Sequence, residues 1–343
     1  MVRRTGAGLA LAALAALLLA ACSASGSAPS AAKPAGAPAG GGAPAAAPAQ
    51  RTNVRVALAV PNYGGYSAVE VGKDRGFYER YGIDVRITAY NGGGPAQEAV
   101  TAGEEDVIHY FPPGVGLAVG KGVKEKIVAT DSPRPAGWYL GVAASSPIQS
   151  VSDLNGKRIG VTSKGSTTDF YALWIGKRAG INVEPIPVGA PAILPSLTSG
   201  NVDAAILNPP LPFKAFASGE ARPLMNLAEE MPPNLPSVVV ATDQIIEQHP
   251  EAVTAYLKGL FEAIRYMKQN RDYAIDFLMN YTKQDRATEE QDYDQVIMKL
   301  SDDGHIEREW LQNSLDLGTQ GSGLTFPPIE QIYTDRFTPV KLD

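Results

Sequence analysis

The sequence predicts a two-lobed α/β protein in which each lobe is a central sheet flanked by helices and a C-terminal helical block packs on the first lobe. Three observations predict it. Strand and helix patterns alternate along the chain and the alternation restarts once; a short extended segment stands at each of two candidate crossings, 138–142 and 237–241; and helical patterns alone follow the second crossing. Residues 53–343, about 290 in all, allow two domains with sizeable cores.

Val54-Arg55-Val56-Ala57-Leu58-Ala59-Val60 is β-rich and stops at Pro61 and Asn62, which predicts a first strand. A helical pattern covers 67–80, Gly82 ends it, and 84–89 reads as a second strand. Gly92-Gly93-Gly94-Pro95 reads as a turn, 96–102 as a short helix begun by proline at its first position, and 107–111 as a third strand. Such a βαβαβ run implies a parallel sheet. The grammar restarts with strands at 140–144 and 158–161, a helix at 167–179, a strand at 184–188, a helix at 193–199, a strand at 204–207 and an apolar turn at 208–212. From Pro250, the residues Val253, Tyr256, Leu257, Leu260, Phe261, Ile264 and Met267 share one helical face, and further helices are expected at 271–281, 287–300 and 307–317. The expected division is 53–138 plus 242–343 for the first lobe and 139–241 for the second.

Before the body, Arg3 and Arg4 precede an apolar run over 7–21, too short to span a bilayer and arranged as an export signal. Leu19-Ala20-Ala21-Cys22 resembles the bacterial lipobox, which implies cleavage after residue 21 and lipidation of Cys22. Residues 22–52, rich in Ala, Pro and Gly, read as a tether too poor in large apolar groups to offset its ordering entropy. The expected location is therefore an exported protein anchored by lipid to a bacterial membrane.

Composition narrows the chemistry. The formal charge of −6, without a Lys/Arg cluster, argues against nucleic acid as a partner. Cys22 is the chain's only cysteine, so neither disulfides nor cysteine metal sites are expected in the body. His109, His249 and His305 are too far apart for a His-x-x-x-His motif, so no metal or other cofactor is expected. There is no Gly-x-Ser-x-Gly elbow or P-loop, and Gly92-Gly93-Gly94 lacks dinucleotide-loop spacing.

Gly76-Phe77-Tyr78-Glu79-Arg80-Tyr81-Gly82-Ile83-Asp84-Val85 resembles the signature after the first helix of ABC-transporter substrate-binding proteins for nitrate, taurine, alkanesulfonates and pyrimidine thiamine precursors. The segments Ser152-Asp153-Leu154-Asn155-Gly156-Lys157-Arg158-Ile159-Gly160-Val161 and Leu197-Thr198-Ser199-Gly200-Asn201-Val202-Asp203-Ala204-Ala205 follow in that family's order. The resemblance implies a type II periplasmic binding-protein fold. It also implies a non-enzymatic, monomeric receptor that closes on a small organic solute, anionic or aromatic, and passes it to an ABC permease and its ATPase. A pyrimidine-synthase-like enzyme and a sensing receptor without transport are the alternatives; the former bears a cysteine-rich motif absent from this chain.

The expected ligand-binding residues lie at strand ends, where loops and helix N-termini converge. On the first lobe they are Asn62, Tyr63, Tyr90, Asn91, Gly92, Tyr110 and Phe111. Arg134 and Trp138 stand at the first crossing, where a guanidinium could hold an anion and an indole could stack on a ring. On the second lobe, Ser163, Gly165, Ser166, Thr167 and Thr168 precede or open a helix whose N-terminus would attract an anion, though capping alone also explains the hydroxyls. Gly189 and Asn208 end neighbouring strands.

Overall fold

The computed structural model describes residues 51–342. The expected signal, the Cys22 lipidation site and nearly all of the tether lie outside the described residues. Ten strands follow in chain order: β1 (Thr52–Leu58), β2 (Ile83–Ala89), β3 (Val107–Tyr110), β4 (Glu125–Ser132), β5 (Tyr139–Ala143), β6 (Lys157–Val161), β7 (Val183–Pro187), β8 (Ala204–Leu207), β9 (Ala221–Asn226) and β10 (Ser237–Thr242). They form two five-stranded sheets, β2-β1-β3-β10-β4 and β7-β6-β8-β5-β9.

The two sheets repeat one plan. In each, three neighbouring strands are mutually parallel, β1 with β2 and β3, β6 with β7 and β8. In each, an antiparallel strand from a chain crossing sits beside them, β10 against β3 and β4, β5 against β8 and β9. Val54, Val56, Ile159 and Ile206 are buried because central strands are covered on both faces.

The sequence shows the same duplication in a form that hydrophobic periodicity does not reveal. Thr101-Ala102-Gly103 and Asp106, followed by Pro112-Pro113, match Thr198-Ser199-Gly200 and Asp203, followed by Pro209-Pro210, at identical spacing. Each Asp accepts from the backbone N–H and guanidinium of an Arg near the start of the adjacent strand, Asp106 from Arg55 and Asp203 from Arg158. Those arginines also donate to Gly103 O and Gly200 O, respectively.

Several expectations are corrected. The helix expected over 67–80 is two pieces, Ser67–Asp74 and Phe77–Arg80. They are separated at Gly76, whose φ of 68° is in the left-handed region. Glycine tolerates that region because it has no Cβ. The expected glycine turn largely belongs to helix Gly93–Thr101, so Pro95 is that helix's third residue and not its first. The helices Pro112–Gly120 and Leu211–Ala217 and the strands β4 and β9 have no counterpart in the sequence reading. In β4 the charged Glu125, Lys126 and Asp131 obscure an almost wholly buried strand; β9 contains Pro223, tolerated because β9 is a sheet edge. β10 pairs inside the first sheet, so 237–241, expected in the second lobe, lie in the first.

The Pro250–Gln269 helix packs on the first lobe, where Tyr256 stacks on Tyr78 at 5.5 Å between centroids. Helix Arg308–Ser322 reaches the second lobe as well: a side chain at Gly321 would lie 2.8 Å from Trp174 N. Among the described residues no helix is long and apolar enough to cross a membrane.

Candidate functional site

The carboxyl ends of β1, β3, β6 and β8 bring their loops together around two spaces. The inner one is a cavity of about 20 Å³ walled by Tyr63, Tyr66 and Tyr110 of the first lobe, Trp138 at the crossing, and Thr162, Ser166, Thr167, Thr168 and Asn208 of the second. That volume is about one water's worth. Beside it, Asn62 and Pro61 of the first lobe and Pro191, Leu194 and Asn208 of the second line a solvent-connected chamber of about 240 Å³, to which Thr282 and Gln284 also contribute. Asn208 borders both spaces.

The glycine triplet lets the lobes meet. Gly92 has a φ of 156°, and a side chain there would sit 2.6 Å from Ser163 Oγ. A side chain at Gly93 would sit 2.2 Å from the Tyr110 ring. Only glycine permits so close an approach. Gly94 N donates to Ser163 Oγ at 3.1 Å, and Tyr110 Oη donates to Gly165 O at 2.8 Å. Gly92, Ser163 and Gly165 are thus contacts between the lobes. Burial pushes the Tyr110 hydroxyl up, so it remains a donor across the neutral range.

The helix end of the second lobe is engaged with itself. Ser166 Oγ accepts from Asp169 N at 3.3 Å as the N-cap, and Thr168 Oγ1 accepts from Thr162 N at 2.9 Å. Such caps satisfy donors that a helix start leaves open. The Asp169 carboxyl, in the first turn, accepts from Gly165 N at 2.8 Å. Burial pushes that carboxyl up. An acid therefore already stands at the dipole's positive end. Thr167 makes only a long hydroxyl contact, 3.4 Å to Pro236 O, while Gly189 N donates to Thr162 O at 3.1 Å.

The aromatic residues form an edge-to-face chain, the geometry that ring quadrupoles favour. Tyr63 meets Tyr66 at 4.7 Å and Trp138 at 5.9 Å between centroids, and Trp138 Nε1 donates to Tyr63 Oη at 3.4 Å. Phe111 is wholly buried, packed on Phe170 and Tyr171 behind the cavity wall. Tyr90 borders neither space: its hydroxyl donates to Glu105 at 3.0 Å and is pushed up to about 12 by burial and that carboxylate. Asn91 is exposed in the turn beside it. Arg134 lies with its guanidinium 5.5 Å from the Trp310 centroid and borders a different surface hollow. Attraction between the cation and the indole face accounts for that placement.

Three features stand outside the expected binding residues, and only the first, at Thr282 and Gln284, carries no local signal in the sequence. Thr282 and Gln284 reach the chamber from the end of the Arg271–Thr282 helix and the loop after it. Thr162 joins the cavity wall from the loop after β6. Beneath the wall, His109 Nδ1 lies 2.5 Å from Asp131 Oδ2 and Nε2 lies 2.6 Å from Tyr256 Oη, all three buried.

The NMT1/THI5-like family model matches residues 66–274, more than half of the chain, and the chain belongs to that family. It is 28% identical over 293 residues to a candidate binding protein of Brucella abortus, an alignment covering 81% of this chain and 90% of that one. It is 27% identical over 234 residues to a candidate aliphatic sulfonates-binding protein of Bacillus subtilis, covering 65% and 69%. The crystal structure of the periplasmic aliphatic sulphonate-binding protein of Escherichia coli superposes with a TM-score of 0.66 at 20% identity, covering 81% of this chain and 91% of that one. The fold is that of periplasmic binding proteins.

Proposed function

We propose that this family member is the solute-binding receptor of an ABC importer, non-enzymatic and without a cofactor, which captures a small organic solute between its lobes and delivers it to a permease. The supporting observation is the convergence of strand-end loops from two separate sheets on shared spaces, with Asn62 and Asn208 contributed to one chamber by opposite lobes. Few backbone segments join the lobes, a connection suited to hinge closure around a ligand. The family's names for nitrate and sulfonate receptors agree with transport of this kind, and the relatives described as periplasmic agree with export.

Lipid attachment at Cys22 would hold the receptor beside its permease, with 22–52 as the tether; this reading rests on the sequence. The receptor acts as a monomer on a small molecule, and nucleic acid has no part in it.

Melting of the purified full-length protein against sulfonates, aromatic acids, pyrimidines, nitrate and bicarbonate tests the proposal. A true ligand at about 100 times its dissociation constant adds about 2.7 kcal/mol of stability. Turnover of a substrate with no stabilising solute in the panel would overturn it. Cys22→Ser separately releases the protein from membranes; persistence there would remove the anchor.

A further inference from the structure

We infer that helix Arg308–Ser322 is the bearing of the hinge: rooted in the first lobe, it supports both connections between the lobes and sets the angle of the second lobe. The inference rests on the hinge-closing part of the reading above.

The chain on either side of this helix is fixed to the first sheet. Before it, Gly304 O accepts from Thr130 N of β4 at 3.0 Å. After it, Thr334 N donates to Ile127 O of β4 at 3.0 Å, and Tyr333 forms a parallel bridge with Ile127. A helix held at both ends in this way stays with the first lobe when the second one turns.

Both connections rest on it. Trp310, Ser314, Gly318 and Gly321 follow at spacings of three and four, which places them along one helical face. At the first connection the Arg134 guanidinium lies 5.5 Å from the Trp310 centroid. At the second, Ser314 Oγ accepts from Leu235 N at 2.9 Å, and Asn313 Nδ2 donates to Pro233 O at 3.0 Å. Ser314 and Leu235 are wholly buried, so that amide has no water to replace the bond. Between these contacts, Asn234 Oδ1 accepts from Tyr171 Oη of the second-lobe helix Thr167–Ala179 at 2.6 Å. The second connection is thus held from both sides.

Further along the same face the side chains vanish. A Cβ at Gly318 would lie 2.8 Å from Pro113 Cβ of the first lobe, and one at Gly321 would lie 2.8 Å from Trp174 N and 3.2 Å from Leu173 C of the second. Glycine permits that approach. The Thr167–Ala179 helix that rests on Gly321 begins with Thr167 and Thr168, which wall the inner cavity opposite Tyr63 and Tyr110. Its tilt on the bearing therefore positions the second lobe's part of that wall. Close-packed contacts shift between discrete arrangements and do not deform smoothly, which suits a bearing.

The test reads the separation of the lobes directly. Spin labels at Glu98→Cys in the first lobe and Glu184→Cys in the second, both exposed positions, are placed in the full-length Cys22→Ser protein and measured without solute by pulsed electron resonance. Gly321→Val sets a branched side chain between the two helices and shifts the distance. Gln320→Val, at an exposed position on the next residue, leaves it unchanged. Trp310→Ala, at a half-buried position, releases Arg134 and broadens the distribution. Circular dichroism establishes that each variant is folded; if Gly321→Val is not, Trp310→Ala decides. Folded variants with the parent's distribution, or a shift in Gln320→Val as large as in Gly321→Val, overturn the inference. No solute enters this measurement, so its failure leaves the receptor reading standing, and that reading falls only to the solute panel.

Discussion

In the first lobe Asp106 accepts from Arg55 and closes the sheet end remote from the cavity; in the second, Asp203 does the same with Arg158, at the same spacing from a glycine and a Pro-Pro pair. The correspondence stops within a few residues. Three positions beyond each Asp stand His109 and Ile206, and two further on stand Phe111 and Asn208. His109 belongs to a buried polar chain with Asp131 and Tyr256, where Ile206 is plain core. Phe111 is core, where Asn208 borders both interlobe spaces. The shared features lie where each sheet needs closing. The differences lie toward the cavity: the duplicated frame closes each sheet in the same way, and the strand ends that border the interlobe spaces diverge.

The largest effect that breaks this pairing is expected at the buried polar chain. Asp131→Ala leaves His109 Nδ1 without its partner in the core, Nε2 keeping Tyr256, and costs about 3 kcal/mol or more in urea unfolding. At the matching position, Ile206→Val costs only about 1 kcal/mol. Equal losses would mean that the polar chain has no special weight.

A second difference is electrostatic. Glu125 opens β4, and burial pushes its carboxyl up to about 7 from 4.5, partly offset by the Gln97 hydrogen bond; Ala221 opens the equivalent edge strand β9. The folded form thus binds the proton more tightly than the unfolded one. That contribution is fully present below about 4.5 and is lost as pH rises through about 7. Its size is on the order of 3 kcal/mol. Glu289, also pushed up to about 7 by burial, adds in the same direction. Glu125→Gln should flatten the stability profile between about pH 5 and 8; a slope unchanged from the parent would assign the titration elsewhere.

The shared frame predicts a smaller, matched pair of losses. Asp106→Ala removes the acceptor for three Arg55 donors and costs about 2 kcal/mol. Asp203→Ala acts in the same sense but less, because its side chain is 26% exposed against 15% for Asp106. Urea midpoints of the two variants measure the asymmetry directly. The smallest expected change is at the contact between lobes, where Tyr110→Phe loses the bond to Gly165 O. The loss is about 1 kcal/mol and shifts the population toward open forms in small-angle scattering. A scattering profile identical to the parent would show that closure does not depend on it.

Legibility in the sequence follows how local each cause is. The Thr167–Ala179 helix has the bounds its pattern predicts, because its Ser166 cap and the Gly180 stop act within the segment itself. Strand β8 is equally legible as a short apolar run. Strand β4 was hidden because Glu125 and Asp131 look like surface residues until Gln97 and His109 are brought beside them. The site divides likewise. Tyr63, Tyr110, Trp138, Thr167 and Asn208 do border the interlobe spaces, as strand-end position suggests. Tyr90, Phe111 and Arg134 share that position in sequence and are directed elsewhere by Glu105, by the Phe170 cluster and by Trp310.

By itself the sequence determined the two α/β lobes, most of their parallel strands and the helical tail, since periodicity, glycine stops and caps act over a few residues. Tertiary structure alone decided which strand-end residues meet. It brought Gln284 and Asn208 to one chamber, left the expected cation on Trp310, and filled the inner cavity with tyrosine edges. Those outcomes depend on contacts between segments distant in the chain. Their energies come from burial and from partners that no local pattern records.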